Sequence, residues 1–189
     1  LLELIENADA FGLDIGKVLL PGIEKPDQAY LELEKKIQKA GVPILKICAG
    51  DTFSCGSMSF RCVYPTPDTS CEDPNEYSMV LEGVMKNFSL LLTGDLGVEG
   101  EKMIIPELGH IDVLKVGHHG SKNSTSTDLL EAIDPEIAIV SVGLKNRYGH
   151  PSKETMERLR ESQTKMWCTK DVGAITVTSD GEKYKCRND

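Results

Sequence analysis

Four residues that could do chemistry stand just after predicted β-strands, in loops where distant parts of the chain can meet. Such loops collect functional side chains on a rigid frame. One carboxylate with several imidazoles is a ligand set for zinc, manganese or iron. The pattern therefore indicates a metal site at one edge of a sheet. The four residues are Asp95, His118, His119 and His150.

Each of these residues also has a simpler interpretation. Asp95 follows a glycine and could be a turn or helix-capping residue. His118 and His119 lie between two glycines that allow close backbone approach, but a surface pair is the alternative. His150 could be an ordinary loop residue. His110 precedes its strand instead of following it, and we predict that it is structural or exposed.

Apolar runs predict the strands that position the four residues. These runs are 88–93, 111–116 and 137–142. Further strands are predicted at 15–20, 42–48, 58–64, 78–84, 166–169, 174–179 and 183–187, and helices at 26–40, 98–108, 126–133 and 152–161. Hairpins thus mix with strand–helix alternation, and two sheets with helices outside is the simplest arrangement that covers so many strands.

Length and composition predict one soluble domain over residues 1–189. Of the 189 residues, 40% are hydrophobic and 27% are charged, which excludes wholesale disorder and collagen-like repeats. No stretch approaches the ~18 apolar residues of a membrane span. The net charge of −9 repels nucleic acid on average but permits a local basic site.

The cysteines and the first residues leave questions open. None of the six cysteines forms a CxxC pair, which argues against a zinc ribbon. They could pair in an extracellular domain or stay buried as small apolar groups in a cytosolic one. Leu1 to Glu6 reads as a helix already under way, ending at Gly12, so we expect part of the domain to precede Leu1.

Three strings resemble, in order and spacing, the metallo-β-lactamase-like hydrolase domain of the ComEC/Rec2 competence proteins. They are LLTGD at 91–95, DVLKVGHHGS at 112–121 and NRYGHPS at 146–152. The segment NEYSMVL at 75–81 resembles the Asn-rich segment before that family's hairpin. The similarity covers essentially the whole chain and is strongest from 75 to 152.

The resemblance implies an α+β fold, a four-layer αββα sandwich with a metal site between the sheet edges. The complete domain would hold two divalent ions, zinc or manganese. Asp95 would bridge the two metals, His150 would be a further ligand, and His118 or His119 would bind metal or the scissile phosphate. Asn75 and Ser78 would stand near a metal-binding histidine of relatives that this chain lacks.

The main ligand motif of the family, HxHxDH or HxDxDH, is absent from this sequence. The resemblance places it immediately before Leu1, so the domain is expected to be N-terminally incomplete. The exact 189-residue chain would then hold two or three ligands, fewer than tight zinc binding usually needs.

The resemblance further implies hydrolysis of a phosphodiester by Asp95, His118, His119 and His150. Lysines and an arginine surround the motifs at positions 115, 122, 145 and 147 and could attract phosphate. Four residues are predicted to bind substrate, namely Ser121, Lys122, Asn123 and Arg147. Alternatively, the lysines are solvated loop charges and the small polar residues only shape the turn.

Three functions compete at this point. The first is a metal-dependent phosphodiesterase, a nuclease that acts on DNA during uptake. The second is a hydrolase of small esters such as phosphorylcholine esters. The third is a metal-free accessory domain for DNA translocation. In the family the domain is often joined to a membrane channel, which makes such a channel a candidate partner.

Overall fold

The computed structural model describes residues 1–24, 26–69 and 73–188, which form sheets flanked by helices. The helices are α1 (Leu2–Glu6), α2 (Gln28–Lys39), α3 (Val98–Ile104), α4 (Thr127–Ile133), α5 (Lys153–Glu161) and α6 (Thr169–Val172). The strands are β1 (Val18–Pro21), β2 (Ile44–Ile47), β3 (Thr52–Cys55), β4 (Met58–Tyr64), β5 (Val80–Met85), β6 (Phe88–Leu92), β7 (Val113–Lys115), β8 (Ile137–Val140), β9 (Lys165–Cys168), β10 (Ile175–Ser179) and β11 (Tyr184–Asn188). Among the described helices, none is both long and apolar enough to cross a membrane.

One seven-stranded sheet carries the strands β3 to β9 in chain order. Its first four strands are antiparallel, and β6 to β9 are parallel. Two small sheets accompany it, a parallel pair β1–β2 and an antiparallel hairpin β10–β11. Because β6, β7 and β8 run in the same direction, the loops that follow them emerge at the same edge of the sheet.

Helices lie outside the β layers. Helices α3, α4 and α5 cover one face of the large sheet, and their apolar side chains share a buried cluster with residues such as Leu91 and Leu114. The β10–β11 hairpin packs on the opposite face through Val177 and Tyr184. A separate cluster around the fully buried Ile37 joins α1 and α2 to the β1–β2 sheet. The predicted α+β, αββα-type fold is confirmed.

Most predicted elements are present, and the differences have local causes. Helix α1 ends at Glu6, and residues 7–12 form turns instead of continuing to Gly12. Strand β3 escaped prediction because it is a short edge strand with largely exposed residues, so its burial leaves no alternating pattern. The predicted loop at 65–76 lies partly outside the described residues, at positions 70–72.

The cysteines of the described residues, Cys48, Cys55, Cys62, Cys168 and Cys186, are free thiols. Cys62 is fully buried in β4, and burial raises the pKa of its thiol to about 11. The thiolate form is therefore scarce at neutral pH, and Cys62 acts as a small apolar core residue. Cys71 lies outside the described residues.

Candidate functional site

The loops after β6, β7 and β8 bring the four predicted site residues to one edge of the large sheet. The rings of His118 and His150 meet edge to face, with their centroids 5.6 Å apart. His118, His119 and Asp95 all lie close enough to His150 to influence its pKa. Residues separated by more than fifty positions in the sequence are therefore neighbours in the fold.

Two hydrogen bonds hold the loop that carries Asp95. The backbone N–H of Asp95 donates to Ser78 Oγ at 2.9 Å, and the N–H of His118 donates to the Gly94 carbonyl at 2.9 Å. Gly94 has φ +57°, and a Cβ there would come within 3.0 Å of Ser78 Cβ. Only glycine meets both demands, so the Gly-Asp sequence positions Asp95 between the Ser78 segment and His118.

His118 and His119 both occupy the left-handed backbone region. Their φ/ψ values are 45°/43° and 55°/21°. This conformation is unfavourable for residues with a Cβ, costing on the order of 1–3 kcal/mol each, and it concentrates at functional sites. Two hydrogen bonds of Gly117 hold the start of this turn. Its N–H donates to Thr125 Oγ1 and its carbonyl accepts from Ser124 Oγ, each at 3.0 Å.

The side chain of His119 is oriented by the backbone of the loop after β8. Its Nδ1 lies 2.7 Å from the Ser141 carbonyl oxygen. Because a carbonyl oxygen can only accept, Nδ1 carries the proton, and in the neutral ring Nε2 presents the lone pair. An imidazole oriented in this way suits a metal ligand or a general base.

His150 is held in its neutral form and is positioned by an asparagine. Burial lowers the pKa of His150, the neighbouring His118 and His119 lower it further, and Asp95 opposes them. Asn146 Nδ2 donates to the His150 carbonyl at 2.7 Å, and its Oδ1 accepts from the His150 N–H at 2.9 Å. Sequence analysis missed this residue, although an asparagine in a Gly-rich loop is a typical backbone-bonding residue.

Replacing Asn146 with alanine should release His150. The variant loses both hydrogen bonds to the His150 backbone, and we expect a loss of about 1–2 kcal/mol in the free energy of unfolding. Amide hydrogen exchange at His150 should become faster, as measured by mass spectrometry. Asn146→Asp is the matched control, because it keeps the acceptor oxygen and should protect the His150 amide. Unchanged exchange in Asn146→Ala would contradict this role.

Two adjoining cavities open at this edge, and the His118–His150 pair lies between them. The first, of about 310 Å³, is acidic; its lining includes Asp73, Asn75, Glu76, Asp95, Glu99, His118, Lys122 and Asn123. The second, of about 500 Å³, is more apolar; its lining includes His119, Ser141, Val142, Asn146, Tyr148, His150 and Thr169. The site thus offers a compartment suited to cations beside one suited to an uncharged group.

The residues of the acidic cavity suit a divalent cation by their chemistry. Asp95 offers a carboxylate and His118 an imidazole, and several further carboxylates concentrate negative charge around them. Burial raises the pKa of Glu76, and the charge of Asp73 adds to the effect, so a bound cation would relieve repulsion there. Within the described residues, however, no three donor atoms of Asp95, His118, His119 and His150 lie within 4.8 Å of one another. These four residues therefore do not form a preassembled three-ligand site in the described part of the chain.

A different donor group converges at the opposite edge of the sheet. Ligand atoms of His110, Asp112 and Glu136 lie within 4.8 Å of one another, before β7 and β8 begin. The carboxylate of Asp112 accepts hydrogen bonds from Ser89, and that of Glu136 accepts one from the Tyr184 hydroxyl. The first contact joins the start of β7 to β6, and the second joins the β10–β11 hairpin to the start of β8. The exposed position of His110 agrees with its predicted structural or exposed character.

The predicted substrate-binding residues are distributed unequally. Lys122 and Asn123 line the acidic cavity, and Arg147 is exposed on the loop that holds His150. Ser121 is buried, and its hydroxyl accepts from the Asn123 N–H, so it shapes the turn. Lys115 is turned inward, where its Nζ donates to the Val116 carbonyl at 2.7 Å and burial lowers its pKa.

Two further residues, which the sequence patterns did not indicate, hold the backbone that supports the site. Glu101 of α3 is fully buried and accepts from the backbone N–H groups of Thr125 and Ser126. Arg158 of α5 donates to the carbonyls of Lys122, Ser124 and Thr125. A charged residue on the apolar face of each helix was the only available signal. Together these two residues clamp the segment that anchors Gly117.

Sequence comparisons relate the chain to bacterial competence proteins. No family model matches the chain. It is 36% identical over 148 residues to ComE operon protein 3 of Bacillus subtilis (strain 168), which covers 75% of the chain and 19% of that protein. It is 34% identical over 131 residues to competence protein ComA of Neisseria gonorrhoeae, covering 68% of the chain and 19% of that protein.

Among solved structures, the fold is similar to CmlA, a diiron β-hydroxylase from Streptomyces venezuelae. The TM-score is 0.57 at 15% sequence identity, over 80% of the chain and 38% of CmlA. At this identity the likeness concerns the fold alone. The chain spans about a fifth of the length of the curated relatives that it matches. The chain therefore shares the fold of CmlA and is homologous to a segment of the ComEC/Rec2 competence proteins.

Proposed function

We propose that the domain is a metal-dependent hydrolase of phosphodiester bonds, acting on DNA in competence-related uptake. The observation that carries the proposal is the meeting of Asp95, His118 and His150 around two strained, adjacent histidine backbones. Two consecutive histidines with positive φ lie in the loop where the candidate side chains gather, and such strain is enriched at functional sites. The names of the relatives, a competence protein among them, support DNA as the substrate.

In this proposal the acidic cavity binds the metal ions and the second cavity holds the leaving group. Asp95 and His118 would hold divalent cations in the acidic cavity, together with nearby carboxylates. When bound, the cations would supply Lewis acidity toward a phosphoryl oxygen. His150 lies against His118 at the border of this cavity and lines the neighbouring one, so it would complete the site from that side.

In this proposal His119 transfers a proton as a general acid or base. Its Nδ1–H is committed to the Ser141 carbonyl, so Nε2 is the atom that can accept a proton or, once protonated, donate it to a leaving oxygen. His119 lines the second cavity, where the leaving group would lie. Lys122 and Arg147 would attract phosphate groups at the rim, since both side chains are exposed.

A metal-free accessory domain is the contrasting hypothesis. It is favoured by one observation, namely that the donor atoms of the four site residues do not converge within 4.8 Å in the described structure. Such a domain would use the same fold to guide or assemble, without hydrolysis. Metal dependence therefore separates the two hypotheses.

Removing divalent ions from the full-length natural protein should abolish cleavage of an oligonucleotide. Chelation with EDTA should also lower the melting temperature, because a ligand that binds only the native state stabilises it. Mn²⁺ or Zn²⁺ should restore both properties. Cleavage of phosphorylcholine esters without cleavage of oligonucleotides would show that the substrate is a small ester and not DNA. Absence of hydrolysis, with an unchanged melting temperature, would favour the accessory domain.

A further inference from the structure

An exposed tyrosine stands beside the proposed reaction site. Tyr148 leaves 84% of its surface accessible, although it lines the 500 Å³ cavity that adjoins His119 and His150. Its ring is stacked on the ring of His150, with centroids 6.0 Å apart and planes inclined by 19°. One face of the Tyr148 ring therefore lies against His150, and most of the ring is exposed to solvent.

The position of this ring is fixed by the loop that carries it. Asn146 bonds to both backbone groups of His150, so the loop segment between them is closed around Tyr148. An aromatic ring held in place before binding loses little conformational entropy when a partner stacks on it. Tyr148 is thus organised as a platform without contributing to the buried core.

The charges around Tyr148 suit a polyanion. Lys145 and Arg147 precede it in the sequence, and both are exposed. Neither forms a salt bridge within the described part of the chain. Cationic side chains beside an aromatic ring are typical of surfaces that bind single-stranded nucleic acid, where cations contact the backbone and rings stack on bases.

We propose that Tyr148 is a stacking platform for one unpaired nucleobase, next to the phosphate that the site would attack. This inference rests on the proposed function, since it places the phosphate at His118 and His150. The stacked arrangement puts Tyr148 one ring away from that phosphate site, comparable with the span from a phosphate to the base of the same nucleotide. In a duplex the bases are stacked on each other, so the platform selects single strands.

The test compares two single-stranded oligonucleotides that differ only in one base. The first is an ordinary sequence, and the second carries an abasic site at the cleaved position. In the full-length natural protein, Tyr148→Ala should raise KM for the ordinary strand about tenfold, the loss expected for one stacked base, with kcat unchanged. The same change should leave KM for the abasic strand unaltered. Tyr148→Phe should behave like the wild type.

Leu144→Ala is the matched control, because Leu144 is a 72% exposed apolar residue on the same loop. This variant should leave KM and kcat unchanged for both the ordinary and the abasic strand. An equal effect of Tyr148→Ala on both strands, or no effect on either, would overturn the stacking role.

Equilibrium binding separates this inference from the proposed function. If the wild type cleaves neither strand, the proposed hydrolysis is refuted. Binding of the labelled strands, measured by fluorescence anisotropy in EDTA, still tests whether Tyr148 stacks on a base. If Tyr148→Ala binds the ordinary strand about tenfold more weakly and the abasic strand as tightly as the wild type does, the stacking role is supported. Equal binding of the ordinary and abasic strands by the wild type would refute it.

Discussion

Replacing Asp95 with alanine should lower kcat/KM for phosphodiester cleavage by about 10³-fold or more, because a bound cation is worth several kcal/mol to the reaction. Asp95 is the acidic residue of the loop that follows β6, and it lines the same cavity as His118. The backbone around it does not depend on the side chain, since Ser78 holds the Asp95 N–H and Gly94 accepts from His118. The variant should therefore fold normally.

The measurement combines kinetics with metal analysis on the full-length natural protein. Asp95→Ala should retain less metal after dialysis and should unfold in urea at nearly the wild-type midpoint. Asp128→Ala, which removes an exposed carboxylate from the first turn of α4, is the matched control and should keep full activity. Unchanged activity in both Asp95→Ala and His150→Ala would contradict the enzymatic proposal.

Replacing Glu101 with alanine should produce the largest loss of stability among single changes around the site. Its buried carboxylate accepts two backbone N–H groups, from Thr125 and Ser126, and the alanine variant leaves both donors without their acceptor. Loss of a charged acceptor and of side-chain volume in the core should cost about 2–4 kcal/mol of unfolding free energy. Urea denaturation should show a lower midpoint at unchanged slope.

The effect of Glu101 should extend to the site. Thr125 has φ +54° and its hydroxyl accepts from Gly117, so a relaxed 121–126 segment would release the turn that holds His118 and His119. Glu101→Gln keeps one acceptor oxygen and should lose less stability. Glu99→Ala is the matched control on the same helix, because Glu99 is exposed and its salt bridge within the described residues is to the exposed Lys102. Equal midpoints for Glu101→Ala and Glu99→Ala would contradict the clamp.

Local patterns were sufficient to predict most of the secondary structure. Helices α4 and α5 begin after Ser126 and Ser152, whose side chains cap them, and a capping serine before an apolar-periodic run is visible in the sequence. The β10–β11 hairpin is likewise marked by its Asp-Gly turn. Edge strand β3 could not be found in this way, because its exposed residues carry no burial pattern.

The candidate site was predictable in its membership but not in its arrangement. The position of Asp95, His118 and His150 after apolar runs follows from the sequence, since parallel strands end at a common edge. The roles of Glu101 and Arg158 depend on contacts that span 24 to 36 positions of the sequence, and no local pattern reports such contacts. The contact of Asn146 with His150 spans only four positions and was open to prediction from the loop sequence.

The amino-acid sequence by itself determined which side chains could meet, because strand periodicity and loop position are local properties. Only the tertiary structure decided that His119 presents Nε2, that Lys115 turns inward and that Tyr148 stands exposed on His150. Those outcomes depend on which backbone carbonyls and rings the fold brings within reach. They are set by packing between distant segments, which the order of residues along the chain does not display.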